Sequence, residues 1–171
     1  MEKSVVTLMG AGGAATAVCA QTALSGASVI HQFVRRGSRF RPRAEALVQK
    51  INAALPCRAV LHDHENMEEL NECLTQSDLL INATSVGMAP DADRCILPEK
   101  IVLRRDLAVA DIIYNPRETL LLSRARACGC LAFNGLDMLL YQGAEAFRLW
   151  TGQEMPTGPV RKIIENQQER K

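Results

Sequence analysis

A chain of 171 residues is long enough for one hydrophobic core, and its 47% hydrophobic and 23% charged residues exclude a disordered or collagen-like polymer. A formal net charge of +1 with no basic tail gives no electrostatic reason to expect nucleic acid or an anionic membrane as partner. The first residues, Met1 to Leu8, lack a signal peptide's apolar core and no run approaches the roughly 20 apolar residues of a bilayer span, so a cytoplasmic protein is expected.

The chain opens on an apolar, β-branched run, Val5 to Met9, which reads as a strand. It runs into Gly10-Ala11-Gly12-Gly13-Ala14-Ala15, a match to G-x-G-x-x-G/A in the context that motif requires, between a strand and a helix spanning Ala14 to Leu24. Small residues let such a turn approach a pyrophosphate closely, and the helix start offers it free N–H groups and a partial positive charge. Gly10, Ala11, Gly12, Gly13 and Ala14 are therefore candidate cofactor-binding residues.

Gly26 stops the helix and Val29 to Val34 form a second strand, which ends in Arg35-Arg36-Gly37-Ser38-Arg39. An NAD-binding domain usually carries an Asp or Glu here for the ribose 2′-hydroxyl, but no carboxylate occurs between Lys3 and Ala44. Arg35, Arg36 and Arg39 instead supply guanidinium groups for a 2′-phosphate, and Ser38 a hydroxyl. NADP is thus expected, with NAD disfavoured. Arg41 and Arg43 read as a solvated helix start, before a helix over Ala44 to Leu55.

A third strand over Arg58 to Leu61 precedes His62-Asp63-His64, which read as a polar loop rather than a metal chelate because no third ligand has suitable spacing. A helix over Met67 to Thr75, strands over Leu79 to Asn82 and Val109 to Ile112, a helix over Thr119 to Ala127 and a strand over Leu131 to Phe133 follow. His31 is expected to pack on its strand. Six cysteines without a C-x-x-C pair suggest neither a zinc site nor a disulfide framework, and no metal is expected.

Beyond the sixth strand the alternation stops. A helix from Leu136 to Trp150 is followed by another opening at Thr157, on which Val160, Ile163, Ile164 and Gln167 form an apolar stripe that needs cover. The expected fold is α/β: a Rossmann-type, doubly wound, mainly parallel six-stranded sheet with two additional C-terminal helices. The expected division is residues 1–135 for nucleotide binding and 136–171 for the helices.

Four later segments carry a family resemblance: Ile81 to Met88 (INATSVGM), Asp111 to Thr119 (DIIYNPRET), Asn134 to Ala144 (NGLDMLLYQGA) and Phe147 to Gly152 (FRLWTG). In order and spacing they resemble shikimate dehydrogenase, and the last is most similar to the quinate/shikimate branch. The resemblance implies that Asn82, Thr84 and Ser85 lie along the cofactor, and that Ile112, Tyr114, Asn115, Gly135 and Met138 flank the nicotinamide. It further implies that Tyr114 and Gln142 meet the substrate. Asp137 stands where many relatives have glycine.

The same resemblance implies an NADP-dependent interconversion of 3-dehydroshikimate and shikimate, with quinate as a further substrate. The family's proton-relaying Lys/Asp pair belongs to an N-terminal substrate domain, and here the glycine turn begins nine residues after Met1. None of Tyr114, Asp111, Asp137, His31 or the His62 cluster replaces that pair convincingly. The chain alone is therefore expected to bind cofactor without turnover, either as a piece of a larger dehydrogenase or as one chain of a split enzyme whose substrate domain is separate, with a partner chain or self-association covering the last two helices. The alternative expectation is a noncatalytic NADP(H)-binding sensor or scaffold.

Overall fold

The computed structural model describes residues 2–168. Six strands form one parallel sheet: β1 (Val5–Met9), β2 (Val29–Val34), β3 (Arg58–Asp63), β4 (Leu79–Asn82), β5 (Ala108–Asp111) and β6 (Leu131–Phe133). Their order is β3-β2-β1-β4-β5-β6, so the winding reverses between β1 and β4. Val6 lies beside Ile30 on one side and Leu79 on the other. A ligand crevice is expected outside the carboxyl ends of the strands at such a reversal.

The helices are α1 (Gly13–Leu24), α2 (Arg41–Ala54), α3 (Met67–Gln76), α4 (Leu120–Ala127), α5 (Leu136–Thr151) and α6 (Thr157–Gln168). None of the described helices is long and apolar enough to cross a membrane. The central strands are apolar on both faces, and each face has its own core. Val6, Leu8, Ile30 and Ile81 pack with Ala15, Cys19 and Ala23 of α1 and Ile51 of α2. On the other face Met9, Phe33, Leu80 and Val109 pack with Leu70 and Leu74 of α3 and Leu121 and Leu122 of α4.

Between β4 and β5 no helix covers the sheet. Residues 83–107 cross over as irregular chain, yet Leu97, Ile101, Leu103 and Leu107 are buried in the second core. Such a segment must satisfy its buried carbonyls without a helical ladder. Arg124 of α4 does this, donating from Nη1 to the Leu97 carbonyl at 2.8 Å and from Nη2 to those of Pro98 and Ile101 at 2.9 and 2.8 Å.

Three sequence expectations are corrected. The helix after β2 begins at Arg41, and Arg41 is not simply solvated: its Nη1 donates to the Val34 carbonyl at 3.2 Å, drawing the helix start onto the strand end. His62 is not in a loop, because β3 continues to Asp63 and buries His62 to 7% exposure beneath α3. Strand β5 starts at Ala108 and ends at Asp111, one residue earlier than the apolar pattern indicates, since Ile112 lies past the last β4 pairing. All six cysteines are free thiols, and burial beside Cys57 pushes the Cys19 thiol up to about 12.

On α6, Ile163 is exposed while Val160 and Ile164 are half-buried. The Gln167 side chain of the expected stripe lies outside the described residues. An ion pair between Arg161 and Asp137 joins α6 to the start of α5.

Candidate cofactor crevice

A crevice of about 430 Å³ opens where the winding reverses, and its volume suits a small-molecule or cofactor site. Its floor is the glycine turn. Gly10 adopts φ +114°, its N–H donates to the Phe33 carbonyl at 2.9 Å, and Gln32 Nε2 donates to its carbonyl at 2.9 Å. A Cβ there would sit 2.7 Å from the Ala83 carbonyl oxygen, so the β1 and β4 ends can approach only across a glycine.

Gly12 follows as N-cap of α1, with no side chain capping the helix and open space where a Cβ would be. The first-turn N–H groups therefore have no side-chain acceptor from the cap, and a helix start of this kind beside the crevice could hold an anion such as a pyrophosphate. Gly10, Ala11 and Gly12 line the crevice, whereas Gly13 and Ala14 begin the helix behind them.

The arginines after β2 have different fates. Arg35 lines the crevice with Ser38. Arg36 is drawn away into an ion pair with Asp63 at the end of β3, and the Arg39 guanidinium lies 4.7 Å above the Phe40 ring. Their shared position in sequence gave no sign of this split, because the Arg36 partner lies 27 residues further on. Arg35 and Ser38 form the basic, polar end of the crevice.

The opposite wall is Thr84 and Ser85, with Val86 behind them. Asn82 does not reach the crevice: it is fully buried and works inside the protein. Its Nδ2 donates to Asp111 Oδ1 at 3.1 Å and to the Val86 carbonyl at 3.3 Å, and its Oδ1 accepts from the Thr84 N–H at 3.1 Å and hydroxyl at 2.7 Å. Asp111 also accepts from Thr119 Oγ1 at 2.8 Å and the Ile113 N–H at 3.1 Å. Burial holds the Asp111 carboxyl above its usual range, against the pull of these hydrogen bonds.

Two crevice residues with titratable side chains were missed by sequence reading. His64, past the end of β3, and Arg94, in the crossover between β4 and β5, both line it. Among the described residues no hydrogen bond or ion pair engages the Arg94 guanidinium, a state that favours an anion nearby. Nothing in the sequence around Arg94 distinguishes it from an ordinary loop arginine.

The remaining expected site residues lie outside this crevice, around the ends of β5 and β6. Gly135 is forced by close approach: a Cβ would stand 1.8 Å from the Ile112 carbonyl oxygen, and its N–H donates to the Ile113 carbonyl at 2.9 Å. It is also the N-cap of α5, so the chain from Ile112 to Tyr114 is pressed against the start of that helix. Tyr114, Asn115, Met138 and Gln142 are all exposed. Gln142 Nε2 donates to the Leu139 carbonyl one turn earlier at 3.2 Å, leaving its amide on the surface of α5.

Comparison with known proteins agrees with this architecture. The family model described as the shikimate 5'-dehydrogenase C-terminal domain matches residues 135–165. The shikimate dehydrogenase (NADP(+)) of Streptococcus pneumoniae is 51% identical over 157 residues, covering 91% of this chain and 53% of that protein. Among solved structures, shikimate 5-dehydrogenase from Listeria monocytogenes, in complex with shikimate and NAD, superposes with a TM-score of 0.88 at 43% identity, over 95% of this chain and 56% of that one. Quinate dehydrogenase from Corynebacterium glutamicum, in complex with NAD, gives 0.80 at 31% identity, over 96% and 56%. The chain spans about half the length of the curated relatives it matches.

Proposed function

This chain belongs to the shikimate dehydrogenase family, and on that premise we propose that it is the NADP-binding half of an oxidoreductase that reduces 3-dehydroshikimate to shikimate. Oxidation and reduction of the quinate pair is the second substrate class of this reading. The carrying observation is Arg35, which lines the crevice beside Ser38 with no carboxylate on the turn that follows β2. Since the Listeria relative is described with NAD, the preference for NADP rests on these residues of the present chain.

In this reading the glycine turn and the α1 start hold the pyrophosphate, through Gly10, Ala11 and Gly12 with Gly13 and Ala14 opening the helix. Arg35 and Ser38 bind the 2′-phosphate, with Arg36 and Arg39 at its margin, the first restrained by Asp63 and the second by Phe40. Thr84 and Ser85 border the cofactor. Asn82 is a positioning residue that acts through Thr84. Ile112, Tyr114, Asn115, Gly135 and Met138 shape the nicotinamide end, and Tyr114 and Gln142 meet the substrate.

Bound NADPH supplies a hydride to the carbonyl carbon of the substrate. The new hydroxyl also needs a proton, and no lysine is among the residues lining the crevice. That step is the work of a substrate domain, which the face exposed at Tyr141, Leu149, Trp150 and Ile163 of α5 and α6 would seat. Residues 1–135 are then the cofactor half and 136–171 the side turned to that domain.

Calorimetry with NADPH and NADH tests the cofactor assignment. NADPH should bind at least about tenfold tighter, a difference of about 1.4 kcal/mol, and Arg35→Ala should narrow the gap. Equal affinities in the parent chain would refute it. Shikimate oxidation by this chain alone, at rates usual for dehydrogenases, would refute the division of labour.

A further inference from the structure

Away from the crevice, β2, β3 and α3 bring together three metal-ligating side chains that lie far apart in sequence. One donor atom from each of His31, His62 and Cys73 lies within 4.8 Å of the other two. His31 Nδ1 and His62 Nε2 are 2.9 Å apart, and His62 Nδ1 is 2.7 Å from Glu69 Oε1. Glu69 is itself fixed, accepting from Asn66 Nδ2 at 3.2 Å while its N–H donates to Asn66 Oδ1 at 3.3 Å. His62 and Cys73 are each 7% exposed, whereas His31 is half-buried, so one side of the group reaches solvent.

We infer that this cluster is a zinc site, with His31 Nδ1, His62 Nε2 and Cys73 Sγ as its protein ligands. The donor set of two imidazoles and a thiolate is one that Zn²⁺ takes, leaving a fourth position for water on the His31 side. The Glu69 carboxylate holds the His62 proton on Nδ1. The Nε2 lone pair is then directed at the other two donors, the carboxylate–histidine pairing that commonly orients a zinc ligand. A hydrogen-bonded histidine pair alone leaves the thiol without a role, and among the described residues no hydrogen bond engages it.

Zn–N bonds of about 2.0–2.1 Å and a Zn–S bond of about 2.3 Å place tetrahedral donors about 3.4–3.6 Å apart, so the two imidazole nitrogens need to separate by about half an ångström. The protons balance. His31 moves its proton from Nδ1 to Nε2, Cys73 releases one to solvent, and Zn²⁺ with the Cys73 thiolate and the Glu69 carboxylate sums to zero charge beneath the helix. The ion ties the edge strand β3 to β2 and α3. Phe33, whose ring stacks on His62 at 4.7 Å, also lines the crevice, so the site buttresses one crevice wall.

The test uses the 171-residue chain after dialysis against a chelator, titrated with Zn²⁺ by calorimetry and with Co²⁺ by absorption. One ion per chain, a cobalt–thiolate charge-transfer band saturating at one equivalent, and a higher melting temperature with zinc are expected. Cys73→Ser should abolish the band, and His31→Gln should weaken binding at least tenfold. Cys128→Ser, which alters the exposed thiol, should leave both unchanged. If Cys73→Ser does not fold, the half-buried His31→Gln decides. No saturable binding, binding undiminished in His31→Gln, or a band lost in Cys128→Ser would overturn the assignment. NADPH affinity measured on the same samples keeps the result separate from the cofactor assignment.

Discussion

Replacing Asn82 by alanine probes the junction on which the crevice wall depends. Asn82 is fully buried, and the substitution removes its bond to the Asp111 carboxyl, a long bond to the Val86 carbonyl and two bonds accepted from Thr84. Thr84 is half-buried and regains part of its loss from water, so the largest loss falls on the buried Asp111 carboxyl, left with only Thr119 and Ile113 as donors. A hydrogen bond to a buried charged group is worth about 1.5–3 kcal/mol, and with the smaller losses a destabilisation of about 2–4 kcal/mol is expected. For a chain of this size that lowers the melting temperature by about 5–15 °C.

Because Thr84 and Ser85 lose their anchor, NADPH binding should weaken by about 1 kcal/mol, roughly fivefold, even though Asn82 does not line the crevice. Asn82→Asp adds a signed pH test. Burial already holds the Asp111 carboxyl up, and a second carboxyl beside it pushes the pair higher, so folding favours the protonated form. That stability is present below the unfolded value of about 4 and is lost as pH rises through the folded one, so the melting deficit against the parent should widen from pH about 4.5 to 8. Scanning fluorimetry and calorimetry measure both effects. An Asn82→Ala chain that melts within a degree of the parent, or an Asn82→Asp deficit that shrinks as pH rises, would contradict this account of the junction.

Other substitutions separate neighbouring residues. Arg94→Ala should weaken NADPH and NADH alike by about five- to tenfold, since its guanidinium has no partner among the described residues and lines the crevice, while Arg36→Ala changes either by less than about twofold because Asp63 already holds that side chain; calorimetry distinguishes the two. Gly135→Ala should cost at least about 3 kcal/mol, read by denaturant unfolding, because its Cβ would overlap the Ile112 carbonyl oxygen. Arg124→Lys should lower stability by about 2–3 kcal/mol although charge is kept, because an ammonium cannot reach together the carbonyls of Leu97, Pro98 and Ile101 that the guanidinium spans. A melting temperature equal to that of the parent would show that the crossover stands without it.

The strands and the glycine turn were legible in the sequence because their signals are local: a short apolar run, then small residues, then a helix former. The family segments pointed to Gly135 and Asn82, but only packing explains them, one by a carbonyl pressed against its Cα and the other by a buried carboxyl. The arginines after β2 read as one cluster, yet two of the three are restrained by Asp63 and Phe40. For the same reason the His62 segment read as a loop: its partners, His31, Glu69 and Cys73, come from a neighbouring strand and a later helix. Arg94 had no signal, since its role depends on where an irregular crossover leaves it.

The crossover between β4 and β5 is fastened from outside, by one guanidinium gripping main-chain oxygens that every amino acid possesses. Away from the buried Leu97, Ile101, Leu103 and Leu107, side-chain identity therefore matters less to the persistence of its path. Substitutions at exposed positions near Arg94 can change what borders the crevice while the sheet beneath registers little.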